Sequence, residues 1–321
     1  MKVMSFTVLL AAPRGFCAGV ERAIRTVELA LDNRAPDDQR PVYVRHEIVH
    51  NKFVVDDLRA RGAIFVEDTS EIPVGATAVF SAHGVSPLVR DEAVERGLVT
   101  LDATCPLVSR VHAAVLRYAA RGYTILFVGH AGHPEVEGVL GEAPNQVKLV
   151  QTVAEANSVE VPDPSRVAYA TQTTLSLDDV ASIVETLRRR FPEMVGPQSG
   201  DVCYATQNRQ EAVQALVEKH AADVVLVLGS PNSSNSNRLR EVAQNAGARG
   251  YLLGGATELD PTWLDGAQRV GISAGASTPE HLVEGLLERL RQLGADEVRT
   301  VETRIEDVFF APPPIKRASA L

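Results

Sequence analysis

Short apolar runs alternate along the chain with longer stretches that carry helical patterns. The apolar runs are rich in Val, Ile and Leu and include residues 79–80, 125–128 and 224–228, as expected of strands buried in a parallel sheet. Residues 20–31 and 209–219 are two of the helical stretches. Strands that alternate with helices predict an α/β fold with mainly parallel sheets.

The three cysteines reveal an internal repeat. They are Cys17, Cys105 and Cys203, and their spacing is close to a third of the chain. Each follows a predicted strand or loop and precedes, by five or six residues, an arginine that we expect to open a helix. These arginines are Arg22, Arg110 and Arg209. Matching positions at this spacing predict three related units.

A second series of polar loops follows a later strand in each unit. The loops are rich in Gly, Ser, Asn and His and cover residues 81–86, 129–135 and 229–237. In open α/β sheets ligands bind beyond the carboxyl ends of the strands, so we expect these loops and the cysteines to face one shared cleft. A single buried cysteine can be no more than a small apolar side chain. Three in matching positions favour one site.

The repeat predicts three similar α/β domains. Domain 1 covers residues 1–104 and regains a strand at about 299–310, whereas domains 2 and 3 cover 105–201 and 202–298. The Pro-rich segment 311–321 is predicted to be an exposed tail, and residues 32–40 are predicted to be a solvated loop.

Composition limits the cellular compartments and the classes of partner that the chain is expected to have. With 321 residues, 45% of them hydrophobic, the chain is long enough for two or three domains. Three distant cysteines argue against a disulfide framework and favour a reducing, cytoplasmic location. The net charge of -9 predicts that the chain does not bind nucleic acid. The sequence shows no basic amphipathic helix of the kind that binds a membrane surface, so no membrane partner is predicted. An anionic ligand must therefore be held by local dipoles.

The spacing of the cysteines also bears on the metal. Structural zinc sites normally contain close Cys-x-x-Cys pairs, and this sequence has none. A [4Fe–4S] cluster takes four thiolates, so three cysteines leave one iron open to a substrate oxygen. We therefore expect one [4Fe–4S] cluster per chain, with Cys17, Cys105 and Cys203 as its ligands.

One short motif points elsewhere. Residues 46–50, His-Glu-Ile-Val-His, match the zinc-protease pattern that places both histidines on one face of a helix. They follow a β-branched strand pattern, and the next helix is predicted to begin only near Lys52. We therefore expect a loop that contributes one histidine.

Several polar residues stand where a phosphate could bind. His83 and His133 lie in glycine-containing loops, where the backbone can approach a ligand closely. Residues 232–238 follow a buried strand, and their three serines and three asparagines exceed what a helix cap needs. Together they predict an anion site, with a similar one at residues 273–279.

Glu135 is the candidate proton donor, because a reduction that removed a substrate oxygen at the open iron would consume protons as well as electrons. Its alternative role is to cap the following helix. Ser176 is predicted to be the N-cap of another helix, which leaves the threonines before it free to face the cleft.

At this point the sequence closely resembles the 4-hydroxy-3-methylbut-2-enyl diphosphate reductases, which catalyse the last step of the non-mevalonate isoprenoid pathway. Motifs similar to theirs extend over nearly the whole chain. They lie at residues 13–20, 44–51, 81–86, 102–106, 129–135, 171–174, 203–206, 232–238 and 274–277.

The resemblance implies that the three α/β domains form a pseudo-threefold trefoil around a central [4Fe–4S] cluster on the three cysteines, with the substrate hydroxyl at the open iron. Glu135 would supply the proton that lets this hydroxyl leave as water, and Thr173 would help to orient the substrate and Glu135. Ferredoxin or flavodoxin would deliver two electrons, and the products would be isopentenyl and dimethylallyl diphosphate. The diphosphate would be bound by His50, His83, His133, Ser233, Asn235 and Ser277, with Ser234 and Thr174 adjoining.

Two other classes of protein remain as alternatives from the residues alone. One is a zinc hydrolase that uses His46 and His50, and the other is a non-catalytic iron–sulfur sensor. The first lacks a helical context for its motif, and the second leaves the phosphate-like loops without a purpose.

Overall fold

The structure, a computed structural model, describes residues 5–33, 41–197 and 201–314. Within these ranges strands and helices alternate. The strands are β1 (Phe6–Ala12), β2 (Val42–Arg45), β3 (Ala63–Val66), β4 (Thr77–Phe80), β5 (Val99–Asp102), β6 (Thr124–Val128), β7 (Val147–Val150), β8 (Val167–Thr171), β9 (Val224–Leu228), β10 (Arg249–Leu253), β11 (Arg269–Ala274) and β12 (Ala295–Glu302).

The α-helices occupy most of the connections between these strands. They are α1 (Ala18–Asp32), α2 (Lys52–Ala60), α3 (Pro87–Glu95), α4 (Pro106–Ala120), α5 (Pro134–Glu142), α6 (Val153–Ser158), α7 (Leu177–Arg190), α8 (Tyr204–Glu218), α9 (Ser234–Asn245) and α10 (Glu280–Gln292). No helix among the described residues is long and apolar enough to cross a bilayer.

The strands form three parallel sheets, which confirms the predicted α/β class. Their strand orders are β10-β9-β11-β1-β12, β3-β2-β4-β5 and β7-β6-β8. The strand pairs within each sheet are parallel. The predicted strands at residues 79–80, 125–128 and 224–228 lie within β4, β6 and β9.

The five-stranded sheet is buried on both faces. On one face Leu226 of β9 belongs to a core with Leu286 of α10, and on the other Val225 belongs to a core with Leu216 of α8. A strand in this position needs apolar side chains at every residue rather than at alternate ones. The continuous run of residues 224–228 meets this need, since all five are buried.

The chain forms two compact units. Unit 1 contains the described residues up to Cys17, together with His50–Val54 and Cys203–Phe309. Unit 2 contains Ala18–Val49, Val55–Val202 and the described residues after Phe309. The five-stranded sheet belongs to unit 1, and the four-stranded and three-stranded sheets belong to unit 2.

The N-terminal strand corrects the predicted division of the chain. β1 pairs with β11 and β12, so it lies in the sheet of the C-terminal third and not with β2 to β5. The strand near the C-terminus does return to β1, but it covers Ala295–Glu302 rather than residues 299–310. The boundaries near 104 and 201, and the threefold arrangement of the domains, stay predictions.

The segment after β12 has neither helix nor strand among its described residues, 303–314. Of the predicted exposed tail, Ala311 and Pro314 are exposed, whereas Pro312 and Pro313 are half-buried. The rest of that tail, residues 315–321, and residues 34–40 of the predicted solvated loop lie outside the described ranges.

Each cysteine stands directly before a helix. α1 begins at Ala18, α4 at Pro106 and α8 at Tyr204. The arginines predicted to open these helices therefore lie about one turn further in. Proline suits the first position of α4, since its missing N–H is one that a helix start leaves unpaired in any case.

Candidate active site

Glu135 is the one acid among the predicted site residues, and it is deeply buried, at 1% exposure. It lies in the first turn of α5 in unit 2, and both of its oxygens are bonded by one residue. The backbone N–H of Thr173 donates to Oε1 at 2.8 Å, and the Thr173 hydroxyl donates to Oε2 at 2.9 Å. The carboxyl is therefore held in one orientation.

Burial raises the pKa of Glu135 from 4.5 to about 7. The two bonds from Thr173 act in the opposite direction because they favour the carboxylate, and the negative charge of Asp201 adds to the rise. A carboxyl group with a pKa near neutrality can both donate and accept a proton under cellular conditions. Strongly shifted acids of this kind are concentrated at catalytic sites.

His133 caps the helix that carries this acid. Its Nδ1 accepts the backbone N–H of Glu135 at 3.1 Å, so in the neutral ring the proton is on Nε2. Glu135 itself is therefore not the helix cap. The ring of His83 meets that of His133 edge to face, with centroids 5.5 Å apart, and Nδ1 of His83 is 3.1 Å from the hydroxyl oxygen of Ser81.

Gln172 joins the loops that carry the acid and the threonines. Its side-chain oxygen accepts the backbone N–H of His130 at 3.1 Å, and its amide donates to the hydroxyl of Thr174 at 3.0 Å. The residue is completely buried. Gln172 was not among the predicted site residues, although it lies within the motif at residues 171–174.

Cys105 lies beside the His83 loop in the same unit. Its backbone N–H donates to the carbonyl of Ala82, the residue before His83, at 3.0 Å. We name the predicted site residues of unit 2 the acid set. Its members are His83, Cys105, His133, Glu135, Thr173 and Thr174.

Unit 1 contains the other predicted residues, which we name the hydroxyl set. Its members are Cys17, His50, Cys203, Ser233, Ser234, Asn235 and Ser277. Asn235 is central to this set, since its side-chain oxygen accepts the backbone N–H of Ala276 at 2.9 Å. The next residue, Ser277, donates its hydroxyl to the backbone carbonyl of His50 at 3.0 Å.

Both cysteines of unit 1 adjoin this network. The backbone N–H of Cys17 donates to the carbonyl of Ala276 at 3.2 Å. The sulfur of Cys203 lies 3.2 Å from the hydroxyl oxygen of Thr206, and Asn235 donates to that same oxygen at 3.5 Å. Loops that are far apart in sequence thus meet at Asn235.

The start of α9 supplies donors for an anion. Ser233 is its N-cap and accepts the backbone N–H of Ser236 at 3.3 Å and the Ser236 hydroxyl at 3.0 Å. Two glycines make room for Ser236, because a Cβ at Gly229 or Gly275 would overlap its hydroxyl oxygen. A helix N-terminus with free backbone N–H groups favours negative charge.

The zinc-protease interpretation of residues 46–50 is excluded by their conformation. They lie between the end of β2 and the start of α2, with no helix. His46 has a left-handed backbone, with φ at 56°, and its Nδ1 lies 2.6 Å from Glu67. The two histidines therefore do not share a helical face. The predicted helix start near Lys52 is confirmed.

Comparison with known proteins identifies the family. The family model described as LytB protein matches residues 8–291. The chain belongs to the LytB family. Its curated relatives carry the name 4-hydroxy-3-methylbut-2-enyl diphosphate reductase. That from Aromatoleum aromaticum is 56% identical over 95% of this chain and 96% of the relative, and that from Bordetella pertussis is 55% identical over 95% and 92%.

Solved structures of the same enzyme resemble this LytB-family chain. The reductase from Plasmodium falciparum is 37% identical and superposes with a TM-score of 0.90, over 95% of this chain and 94% of that one. A second structure is titled (E)-4-hydroxy-3-methyl-but-2-enyl diphosphate reductase, the terminal enzyme of the non-mevalonate pathway. It is 32% identical, with a TM-score of 0.62 over 89% and 99%. The expected family is confirmed.

The donor set of the LytB-family chain suits an iron–sulfur cluster. Cys17, Cys105 and Cys203 are not joined in disulfides, and each is half-buried. Within the ranges that the structure describes, no three His, Cys, Asp or Glu side chains form a set that could hold one metal ion. A cluster needs no such set, because each of its thiolates binds a different iron atom.

One prediction about a helix cap is confirmed in this LytB-family chain. Ser176 is the N-cap of α7, as predicted, and accepts the backbone N–H of Asp179 at 3.3 Å.

Asp201 was not predicted as part of the site, although it lies two residues before Cys203. It is held in unit 2 by two bonds with Thr171, at 3.1 and 2.8 Å.

Proposed function

We propose that this chain reduces (E)-4-hydroxy-3-methylbut-2-enyl diphosphate to isopentenyl and dimethylallyl diphosphate. Membership of the LytB family and relatives of that name at 53–56% identity support the reaction class. The observation that carries the chemistry is Glu135, a buried carboxyl held by Thr173 with a pKa of about 7. Reductive dehydroxylation needs such a proton donor near neutral pH.

We infer that Cys17, Cys105 and Cys203 ligate one [4Fe–4S] cluster. When bound, the cluster supplies single electrons and an iron without a protein ligand, which acts as a Lewis acid. Three cysteines outside disulfides, each directly before a helix, support this assignment. Ferredoxin or flavodoxin in the cytoplasm is the proposed source of the electrons.

The hydroxyl set is proposed to bind the diphosphate. Ser233, Ser234 and Asn235 lie at the start of α9, where backbone N–H groups and the helix dipole favour an anion. Ser277 and His50 adjoin them through the contacts described above. Neutral donors of this kind let a chain with a net charge of -9 bind a diphosphate.

The histidines of the acid set are proposed to add further donors. With Nδ1 of His133 accepting from the backbone, its Nε2–H can donate to a phosphate oxygen. His83 packs against that ring, so each ring restricts the orientation of the other. Thr174, bonded to the buried Gln172, is proposed to adjoin the same phosphate.

Glu135 is proposed to protonate the substrate hydroxyl as its carbon–oxygen bond breaks. The overall reaction consumes two electrons and two protons and releases water. After the first proton leaves, the N–H and O–H of Thr173 remain as donors to the carboxylate oxygens. They stabilise the negative charge that proton transfer leaves behind. The second proton goes to either end of the three-carbon allylic unit, which accounts for two products.

Purification without oxygen, followed by iron and sulfide analysis and a turnover assay with a reduced dye, tests this function. We expect about four iron and four sulfide ions per chain and substrate-dependent oxidation of the dye. A colourless protein without iron, or dye oxidation that does not depend on substrate, would contradict it.

The cysteine assignment has its own test. Cys105→Ser is expected to lose most of the iron and the visible absorption, because serine is a poor ligand for iron–sulfur clusters. Ser109→Ala, on the exposed surface of the same helix, is the control and should keep both. Unchanged iron content in Cys105→Ser would exclude Cys105 as a ligand.

A further inference from the structure

Arg209 is fully buried in unit 1 although it carries a charge. It lies on α8, six residues after Cys203. Its Nε and Nη2 donate to the carbonyl of Gly15 at 3.0 and 2.8 Å, and Nη2 also donates to the carbonyl of Phe16 at 3.1 Å. These are the two carbonyls directly before Cys17. One guanidinium thus ties the helix after one cysteine to the backbone that leads into another.

The charge of Arg209 is compensated within the same unit. Its Nη1 donates to both carboxylate oxygens of Glu306, at 3.0 and 3.2 Å, and to the carbonyl of Ala205 at 2.9 Å. Asn208 also donates to Glu306, at 2.9 Å. A buried guanidinium is tolerated only when it is paired and fully hydrogen-bonded, and this one meets both conditions.

Arg22 repeats the arrangement in unit 2. It lies on α1, five residues after Cys17. Its Nη1 donates to the carbonyl of Thr104 at 2.9 Å, and Nη2 reaches the carbonyl of Asp102 at 3.4 Å. Thr104 is the residue directly before Cys105. Nε of Arg22 donates to the carbonyl of Ala311 at 2.9 Å, so this guanidinium is also held on its third side.

Arg110 occupies the matching position on α4, five residues after Cys105. Its side chain is exposed. The two arginines whose guanidinium groups bond the backbone directly before a cysteine are Arg22 and Arg209.

We propose that Arg22 and Arg209 are positioning residues, each of which follows one cysteine and holds the backbone that leads into the next, with Arg209 returning to the first. Arg22 acts on the approach to Cys105, and Arg209 acts on that to Cys17. The inference rests on the proposed function, since fixed thiol positions matter for a cluster. A general role in stability does not explain why two arginines, in separate units, each bond the carbonyl of the residue directly before a cysteine.

The planar fork of arginine explains why this residue type is used. Two or three N–H groups in one plane can reach neighbouring carbonyls at once, whereas a lysine ammonium acts as a point charge. The guanidinium of Arg22 bonds neutral carbonyls, so it also places positive charge beside the loop before Cys105. Net charge and hydrogen bonding around a cluster set its reduction potential, so Arg22 is expected to raise it.

Hydrogen exchange on the purified full-length chain tests the contacts directly. In Arg209→Lys we expect the Cys17 amide to exchange about tenfold faster, because loss of bonds from a charged donor loosens residues 13–18. The Cys105 amide should keep its wild-type rate. In Arg22→Lys the pattern should reverse, with faster exchange at residues 102–106 only.

Two exposed arginines provide matched controls. Arg25→Lys lies on the same helix as Arg22, and Arg304→Lys lies on the same segment as Glu306, with side chains 53% and 61% exposed. Neither should change exchange at either cysteine. If Arg209→Lys does not fold, as judged by circular dichroism, the half-buried Arg22 decides the question alone.

The reduction potential separates positioning from stability. Arg22→Gln removes the charge and is expected to lower the potential, whereas Arg22→Lys should restore it while leaving exchange at residues 102–106 fast. Both variants should lose iron to a chelator faster than the wild type. A wild-type chain without iron would refute the proposed function, yet the exchange pattern would still be measurable.

Two results would overturn the inference. One is wild-type exchange at the next cysteine in folded Arg22→Lys. The other is faster exchange spread evenly over a whole unit, which would mark the arginines as general stabilisers of the fold.

Discussion

The buried carboxyl of Glu135 in the acid set has no counterpart in the hydroxyl set, where the side chains are thiols, hydroxyls, an amide and an imidazole. In unit 2 burial raises the pKa of an acid to about 7 and Thr173 holds both of its oxygens. In unit 1 Asn235 and the serines bond one another and the backbone at the start of α9. The difference teaches that proton transfer and anion binding need opposite surroundings.

A proton donor benefits from desolvation, because its neutral form must survive at the working pH. An anion site benefits from neutral dipoles that are already oriented, because such donors need no protonation and carry no negative charge that would repel the anion. The Glu135 carboxyl therefore suits proton transfer, whereas the start of α9 suits an anion. Exchanging their properties should abolish both, and the following variants test this expectation.

The largest effect is expected for Glu135→Gln. The amide keeps the shape of the side chain and an oxygen for the Thr173 N–H, but it cannot give a proton. Turnover should fall by about 10²- to 10⁴-fold, while iron content and substrate affinity stay close to wild type. Steady-state kinetics and equilibrium binding measure the two parts.

Glu137→Gln, on the exposed side of the same helix, is the matched control and should keep full turnover. Wild-type activity in Glu135→Gln would remove the carboxyl from the mechanism.

Asn235→Asp makes the hydroxyl set resemble the acid set. The carboxylate can still accept the Ala276 N–H and suits a helix start, so the fold should persist. It should repel the diphosphate, raising KM by about 10- to 100-fold. Asn245→Asp, at the exposed last residue of the same helix, is the control. An unchanged KM would place the diphosphate away from α9.

The pH dependence of kcat/KM reports directly on the acid set. The pKa of Glu135 is raised, so its proton is present below about pH 7 and is lost as the pH rises through that value. If the protonated form is the active one, kcat/KM should be level at lower pH and fall about tenfold per unit above the pKa. A profile without a fall between pH 6 and 9 in the wild type would argue against this role.

The smallest effect is expected for Gly275→Ala. The added Cβ would overlap the hydroxyl oxygen of Ser236, so the loop before Ser277 must shift, at a cost of roughly 1–3 kcal/mol. Thermal melting should show a lower Tm, and KM should rise modestly.

Gly285→Ala is the control, since it lies within α10 with no atom near the new methyl group. It should raise stability by up to about 1 kcal/mol. Equal melting of the two variants would mean that the loop accommodates the methyl group freely.

The sequence by itself determined the fold class and the identity of most candidate residues. Continuous apolar runs specify buried parallel strands because both faces of such a strand meet a core, as β9 does. Motifs such as residues 129–135 and 232–238 are local in sequence. The N-cap at Ser233 and the hydrogen bond from the Glu135 backbone N–H to His133 therefore involve residues only two or three positions apart.

Only the tertiary structure decided the surroundings of these residues. The pKa of Glu135 depends on burial and on Thr173, 38 positions away. β1 joins β11 and β12 because pairing in a sheet is non-local, and repetition along the chain cannot reveal its partner. The guanidinium of Arg209 donates to the carbonyl of Gly15, a residue 194 positions away in sequence. Patterns along a chain record which side chains are present, whereas desolvation and long-range hydrogen bonds arise only once distant segments pack together.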